Sequence, residues 1–131
     1  MVSKLHKRVR RLLKEVLGSV IQEEVNVQKL FPDYPVRDQH YDLVIPSYNL
    51  VIECHGEQHR NITTFGEKDT EEAAVTLERQ KQRDRRKEEI VWENGWGYIA
   101  VWYDELPKDE TIAKETIKSK VQDAIGKIDN E

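Results

Sequence analysis

The chain has 131 residues, of which 37% are hydrophobic and 35% are charged. This length and composition predict one domain spanning residues 1–131, with a single apolar core and charged helix surfaces. The sequence contains no run of eighteen apolar residues, so no membrane span and no membrane partner are expected. The charged start MVSKLHKRVRR is unlike a signal peptide, so export is not expected. The single cysteine, Cys54, excludes an internal disulfide and a CxxC zinc site, and the chain is predicted to be cytoplasmic.

The net charge of −4 conceals two basic segments. Residues 4–14 carry six basic side chains and no acid, and residues 79–87 carry six against one acid, Asp84. From Asp104 onward the chain holds eight acids and five lysines. This segregation predicts a local surface that faces phosphate groups, with two ordinary solvated helix faces as the alternative.

Apolar spacing and capping residues predict the order helix, strand, β-hairpin, helix, strand, helix, which is a mixed α/β arrangement. The first helix follows the capping residue Ser3 and ends at Gly18, with apolar positions that repeat at helical spacing. The remaining predicted elements are a strand at 20–27, a loop through KLFPDYPVRDQ, strands at 40–46 and 50–55, a polar segment at 56–70, a helix at 70–93, a strand at 98–103 and a helix at 109–128 that Asp109 caps.

The two strands at 40–46 and 50–55 flank a turn-like segment, Pro46 to Asn49, which predicts a hairpin whose paired residue numbers sum to 95. Asp42 then lies opposite Glu53, and His40 opposite His55, and all four side chains share one face because side chains alternate along strands. The other face is predicted to hold Tyr41, Leu43, Ile45, Leu50, Ile52 and Cys54.

Two carboxylates facing each other across a hairpin repel by roughly 3 kcal/mol at about 5 Å and an effective dielectric constant near 20. A divalent cation such as Mg²⁺, which prefers hard oxygen ligands, would relieve that repulsion between Asp42 and Glu53. The alternative is an exposed sheet edge where water screens both charges. His55 and His59 follow directly, and a histidine beside a metal-bound water can act as a general base at neutral pH.

The long predicted helix places a charged residue in an apolar row. Leu77, Asp84 and Val91 recur every seven residues and therefore lie nearly in line on one helix face. Either the middle of that face is open to solvent, or it looks onto a polar site. We expect the polar site, since the helix must lie close to the hairpin.

Several segments together resemble the PD-(D/E)XK nuclease superfamily, nearest to the branch of very-short-patch-repair endonucleases and related phage homing endonucleases. The resemblance covers residues 3–106 and is carried by an aspartate in an apolar strand, a second apolar strand ending in an acidic and histidine motif, an Arg-Asp-x-x-Lys helix pattern, a glycine turn and a strand ending in Trp-Tyr. These segments are 41–46 (YDLVIP), 50–59 (LVIECHGEQH), 83–87 (RDRRK), 94–96 (NGW) and 101–103 (VWY).

The resemblance implies a restriction-endonuclease-like core at 3–106, with a mixed sheet flanked by helices, and a Mg²⁺-dependent DNA endonuclease or nickase in which Mn²⁺ can substitute. Asp42, Glu53 and the backbone carbonyl of Cys54 would be the metal ligands. His59 would be the base or proton donor, and the helix aspartate would orient a histidine. Two positions depart from the branch: His55 stands where it often has aspartate, and His6 where it often has glutamate. The implied catalytic set is His6, Asp42, Glu53, His55, His59 and Asp84.

The basic segments supply candidate contacts to DNA phosphates, which position DNA without reading its sequence. A homodimer or a separate partner would supply specificity, and the resemblance implies a bacterial cell or phage-infected host. The alternatives are a DNA-binding module of the same fold with weakened catalysis, and a regulatory protein-interaction domain. The candidate phosphate contacts are Lys7, Arg8, Arg11, Arg83, Arg86 and Lys87.

Overall fold

A four-stranded β-sheet with helices on both faces forms the protein, as seen in a computed structural model that describes residues 2–56 and 70–129. The predicted order of elements is confirmed, with one further short helix where the first predicted strand ends and the predicted loop begins, and a 3₁₀ turn at Pro46–Tyr48 in the hairpin. The elements are α1 (Lys4–Leu17), β1 (Gln22–Asn26), α2 (Val27–Leu30), β2 (His40–Ile45), β3 (Leu50–His55), α3 (Thr70–Glu93), β4 (Gly97–Trp102) and α4 (Glu110–Asp129).

The strand order is β1-β2-β3-β4, with antiparallel pairing from β1 to β3 and parallel pairing between β3 and β4. The hairpin register is confirmed, since Leu43 pairs with Ile52 and Ile45 pairs with Leu50. Helix α3 makes the crossover that parallel strands require. The chain is therefore a mixed α/β protein.

Helix ends follow the predicted capping chemistry. The Ser3 side chain accepts a hydrogen bond from the backbone N–H of His6 at 3.1 Å, and Gly18 ends α1 in the left-handed conformation with φ of 64°. Asp109 Oδ1 accepts from the backbone N–H of Ile112 at 3.0 Å at the start of α4. Local sequence signals therefore set these boundaries.

The sheet separates two apolar clusters. On one face the hairpin residues Leu43, Ile45, Leu50 and Ile52 pack against α1 and α4. On the other face Val44 and Val51 belong to a cluster that includes Val27 of α2, Val91 of α3 and Tyr98 of β4. Burying both faces explains why the hairpin strands are almost continuously apolar rather than strictly alternating.

The predicted side-chain alternation fails at one point. Tyr41 was expected on the face of Leu43 and Ile45, but it packs with Val44 and Val51 and its hydroxyl donates to the backbone carbonyl of Lys87 at 2.7 Å. Tyr41 and Leu43 therefore belong to clusters on opposite faces although they lie two residues apart, and Glu24 of the neighbouring strand, with a φ of 52°, leaves the β1–β2 ladder between the residues paired with them. Within the described ranges no helix is both long and apolar enough to cross a bilayer.

Gly97 marks the closest approach of β4 to its neighbours. A Cβ atom there would lie 2.8 Å from Leu50 Cδ2 and 2.9 Å from Ile128 Cδ1. We expect Gly97→Ala to lower the free energy of unfolding by about 1–2 kcal/mol, because the tips of one buried and one partly buried side chain must move. Gly126→Ala in α4 is the matched control: nothing lies within 4 Å of its Cβ position, so the same change there should raise stability by about 0.5–1 kcal/mol in urea unfolding.

Candidate functional site

Asp42 lies where the β2–β3 ladder opens. The paired positions end at Leu43 and Ile52, and beyond them the backbone N–H of Cys54 donates to Asp42 Oδ2 at 2.7 Å instead of to a backbone carbonyl. The Asp42 carboxylate therefore sits between the two strands at the end of the hairpin. Its charge also acts on Glu53, so the two carboxylates are neighbours as expected.

A histidine and two acidic side chains, Asp42 among them, come together from three elements on the β1 side of the hairpin. A ring nitrogen of His6 and one carboxylate oxygen each of Glu24 and Asp42 all lie within 4.8 Å of one another. We call these three residues the edge cluster. His6 is buried, Asp42 half-buried and Glu24 exposed, so the cluster opens to solvent on the β1 side. Such a donor set has the size and charge to hold one divalent cation.

Glu53 of β3 makes a buried ion pair with Lys87 of α3, close to Asp42. Lys87 Nζ lies 2.5 Å from Glu53 Oε1, and the exposed fractions of the two residues are 8% and 5%. The ammonium also lies 5.5 Å from the centre of the Tyr41 ring. This pair occupies one oxygen of the Glu53 carboxylate, Oε1.

Burial raises the pKa of Glu53 to about 8, since the charged form loses its water. Lys87 opposes that rise, and the negative charge of Asp42 adds to it. Glu53 consequently holds a proton at far higher pH than an exposed glutamate does. Burial likewise raises the pKa of the Cys54 thiol, which packs partly against the core and has little thiolate character.

A cleft lies between α3 and the ends of β3 and β4, with a volume of about 360 Å³. His55 and Asp84 both line it, with His55 Nδ1 4.0 Å from Asp84 Oδ2. The Trp102 ring lies 4.6 Å from the His55 ring at an angle of 37°. Asp84 therefore faces a polar site, as the row of Leu77, Asp84 and Val91 predicted.

The structure divides the predicted site residues among these places. His6 and Asp42 belong to the edge cluster, Glu53 lies in the buried pair, and His55 and Asp84 line the cleft. His59 lies outside the described residues. His40 was expected opposite His55, but the β2–β3 pairs of the described residues end at Leu43 and Ile52; on the other side, His40 pairs with Asn26 of β1.

The predicted phosphate contacts also have different surroundings. Lys7, Arg83 and Arg86 are exposed. Arg8 and Arg11 bind Glu110 of α4, with Arg11 Nη2 2.7 Å from Glu110 Oε2, and the pair lowers the pKa of the Glu110 carboxyl. Arg8 also donates to the backbone carbonyls of Leu106 and Pro107. Lys87 is buried on Glu53 rather than presented at the surface.

Sequence reasoning missed two members of the site. No sequence pattern assigns a role to Glu24 or indicates the left-handed backbone that its approach to Asp42 involves. Lys87 was taken as one basic residue among several. A signal did exist: it follows Asp84 by three positions and precedes Val91 by four, which places it on the helix face that looks onto the sheet.

No family model matches the sequence, and the curated proteins contain no significant match to it.

Proposed function

We propose that the protein is a divalent-metal-dependent DNA endonuclease or nickase with a restriction-endonuclease-like fold. The observation that carries this proposal is the position of Asp42. Its carboxylate joins the edge cluster on one side and neighbours the Glu53–Lys87 pair on the other. Acidic groups and an imidazole at a solvent-accessible position, with a buried lysine nearby, are groups that phosphodiester hydrolysis uses.

The residues of this chain have the following proposed roles. His6, Glu24 and Asp42 would hold the metal, which when bound polarises a phosphate oxygen and lowers the pKa of a water. The Lys87 ammonium is buried beside the Glu53 carboxylate, which holds it in place, and would add positive charge next to the metal site. Asp84 lies beside His55 Nδ1 and would orient that imidazole for proton transfer. His59 stays a predicted base or proton donor.

Exposed basic side chains would bring DNA to this position. Lys7 on α1 and Arg83 and Arg86 on α3 are free of the contacts that hold Arg8 and Arg11 on α4 and are proposed to contact phosphates. DNA is therefore the proposed partner, with specificity supplied by a second copy of the chain or by another protein.

The test is conversion of supercoiled plasmid to open-circle or linear DNA with Mg²⁺ or Mn²⁺, with EDTA as the control. We expect metal-dependent nicking that His59→Ala reduces by about 100-fold, the range in which a general acid or base contributes. Nicking that persists in EDTA contradicts the proposal. Salt-sensitive DNA binding without cleavage of varied substrates would instead favour the weakened DNA-binding module. Neither binding nor cleavage would favour a protein-interaction domain.

A further inference from the structure

The edge cluster differs from an all-oxygen magnesium site because one of its three donors is an imidazole nitrogen. Ligand atoms that share one ion at about 2.1 Å lie roughly 3–4 Å apart. The nitrogen of His6 and the oxygens of Glu24 and Asp42 all lie within 4.8 Å of one another, so small side-chain rotations bring them to that spacing. The two carboxylates carry a charge of −2, which balances a divalent ion.

The backbone of β1 turns Glu24 toward this cluster. Consecutive side chains of a regular strand point to opposite faces, yet Glu23 contacts His6 and Glu24 also lies beside it. Glu24 has a φ of 52°, and it drops out of the β1–β2 ladder although Glu23 and Val25 on either side are paired. The left-handed residue thus presents two successive carboxylates to the same histidine.

The His6 ring is held as a ligating histidine would be. It is 3% exposed, and its Nε2 lies 3.0 Å from Glu23 Oε1. In the neutral ring, Nε2 would donate to this carboxylate, which can only accept when ionised, and the other ring nitrogen would keep its lone pair for a ligand. Arg10 Nε, 3.4 Å from Glu23 Oε2, holds that carboxylate in turn. Carboxylate partners of this kind fix the tautomer and orientation of metal-binding histidines.

We propose that His6, Glu24 and Asp42 bind one divalent transition-metal ion of the Mn²⁺ to Zn²⁺ series in preference to Mg²⁺. Imidazole favours these borderline metals, whereas Mg²⁺ selects oxygen ligands and water. The inference deepens the proposed function by naming the ligands and the class of metal, and it rests on that function for what the metal does in catalysis.

The test measures metal binding to the full chain without DNA. After EDTA treatment, the protein is titrated calorimetrically with Mn²⁺, Zn²⁺ or Mg²⁺ alone, and Co²⁺ absorption reports nitrogen ligation. We expect one equivalent of Mn²⁺ or Zn²⁺ to bind at least about tenfold more tightly than Mg²⁺. His6→Gln and Glu24→Gln should each weaken that binding at least about tenfold. Glu15→Gln, at an exposed acid on the same helix as His6, should leave it unchanged.

A swap variant tests the class of metal directly. His6→Glu makes the donor set all oxygen, so the preference for Mn²⁺ or Zn²⁺ over Mg²⁺ should shrink at least about tenfold. Far-UV circular dichroism checks folding, and Glu24→Gln keeps the test valid if the buried His6 variants unfold. Absence of binding, or binding that neither His6→Gln nor Glu24→Gln weakens, overturns the inference.

The two proposals fail in distinguishable ways. Binding that depends on His6 and Glu24 but accompanies no cleavage of any DNA supports the metal site and contradicts the nuclease. Mg²⁺-dependent cleavage that His6→Gln and Glu24→Gln both leave intact supports the nuclease and overturns this assignment of the metal and its ligands.

Discussion

Lys87→Met is expected to lower the free energy of unfolding by about 3–5 kcal/mol at pH 9 and by less than about 1.5 kcal/mol at pH 5. Methionine matches the volume of the lysine but leaves Glu53 buried without its cation. The pKa of Glu53, already raised from 4.5 to about 8 in the folded protein, should rise further in the variant. Chemical unfolding in EDTA at both pH values measures the difference.

The direction of this pH dependence follows from proton linkage. Because the folded pKa of Glu53 is above its unfolded value, the folded state binds the proton more tightly between pH 4.5 and about 8. Its contribution to stability is complete below pH 4.5 and is lost as the pH rises through 8. Because Lys87→Met should raise the folded pKa of Glu53 further, the loss of stability should continue to higher pH in this variant.

A double variant separates charge from packing. Glu53→Gln combined with Lys87→Met should recover most of the stability at pH 9, because no buried charge is left without a partner. Lys118→Met, at an exposed position of α4, should change stability little at either pH. If Lys87→Met lowers the free energy of unfolding by the same amount at pH 5 and pH 9, the burial and pairing of Glu53 do not determine the loss of stability.

Asp42→Asn is expected to reduce metal-dependent nicking by at least about 100-fold, equivalent to roughly 2.7 kcal/mol of transition-state stabilisation. The change removes the charge shared by the edge cluster. It keeps an oxygen that can accept from the backbone N–H of Cys54, so the hairpin end should remain folded. Initial rates on supercoiled plasmid measure the loss, and fluorescence anisotropy in EDTA should show unchanged DNA binding.

Asp33→Asn is the matched control for this experiment, since Asp33 is an exposed aspartate in the loop before β2. Its nicking rate should equal that of the unmodified chain. Asp42→Asn protein that retains more than about one-tenth of the rate would place the reaction elsewhere on the molecule.

Much of the fold could be predicted because its signals are local. The Ser3 cap and the Gly18 stop bound α1, and the turn from Pro46 to Asn49 gives the hairpin register that pairs Leu43 with Ile52. Each of these depends on residues a few positions apart. The position of Asp84 beside His55 at the end of the hairpin was also predicted, because a charged residue in an apolar row indicates either solvent or a polar neighbour and the helix was expected close to the hairpin.

The composition of the site was less predictable. Asp42 neighbours Glu53 as predicted, yet the other groups around the two carboxylates differ from the expected set. Glu53 faces Lys87, whereas His6 and Glu24 approach Asp42 from the other side. Which side chains meet depends on how elements that are far apart in the chain pack together.

By itself, the sequence determined the order of helices and strands, the hairpin register and the neighbourhood of Asp42 and Glu53, because apolar periodicity, caps and turns act over a few residues. Only the tertiary structure decided that Tyr41 turns to the α3 face, that Glu24 joins His6, and that Lys87 is buried. The physical reason is that a residue with positive φ in β1 interrupts the alternation of that strand at Glu24, whereas the burial of Tyr41 and Lys87 depends on how α3 packs on the sheet.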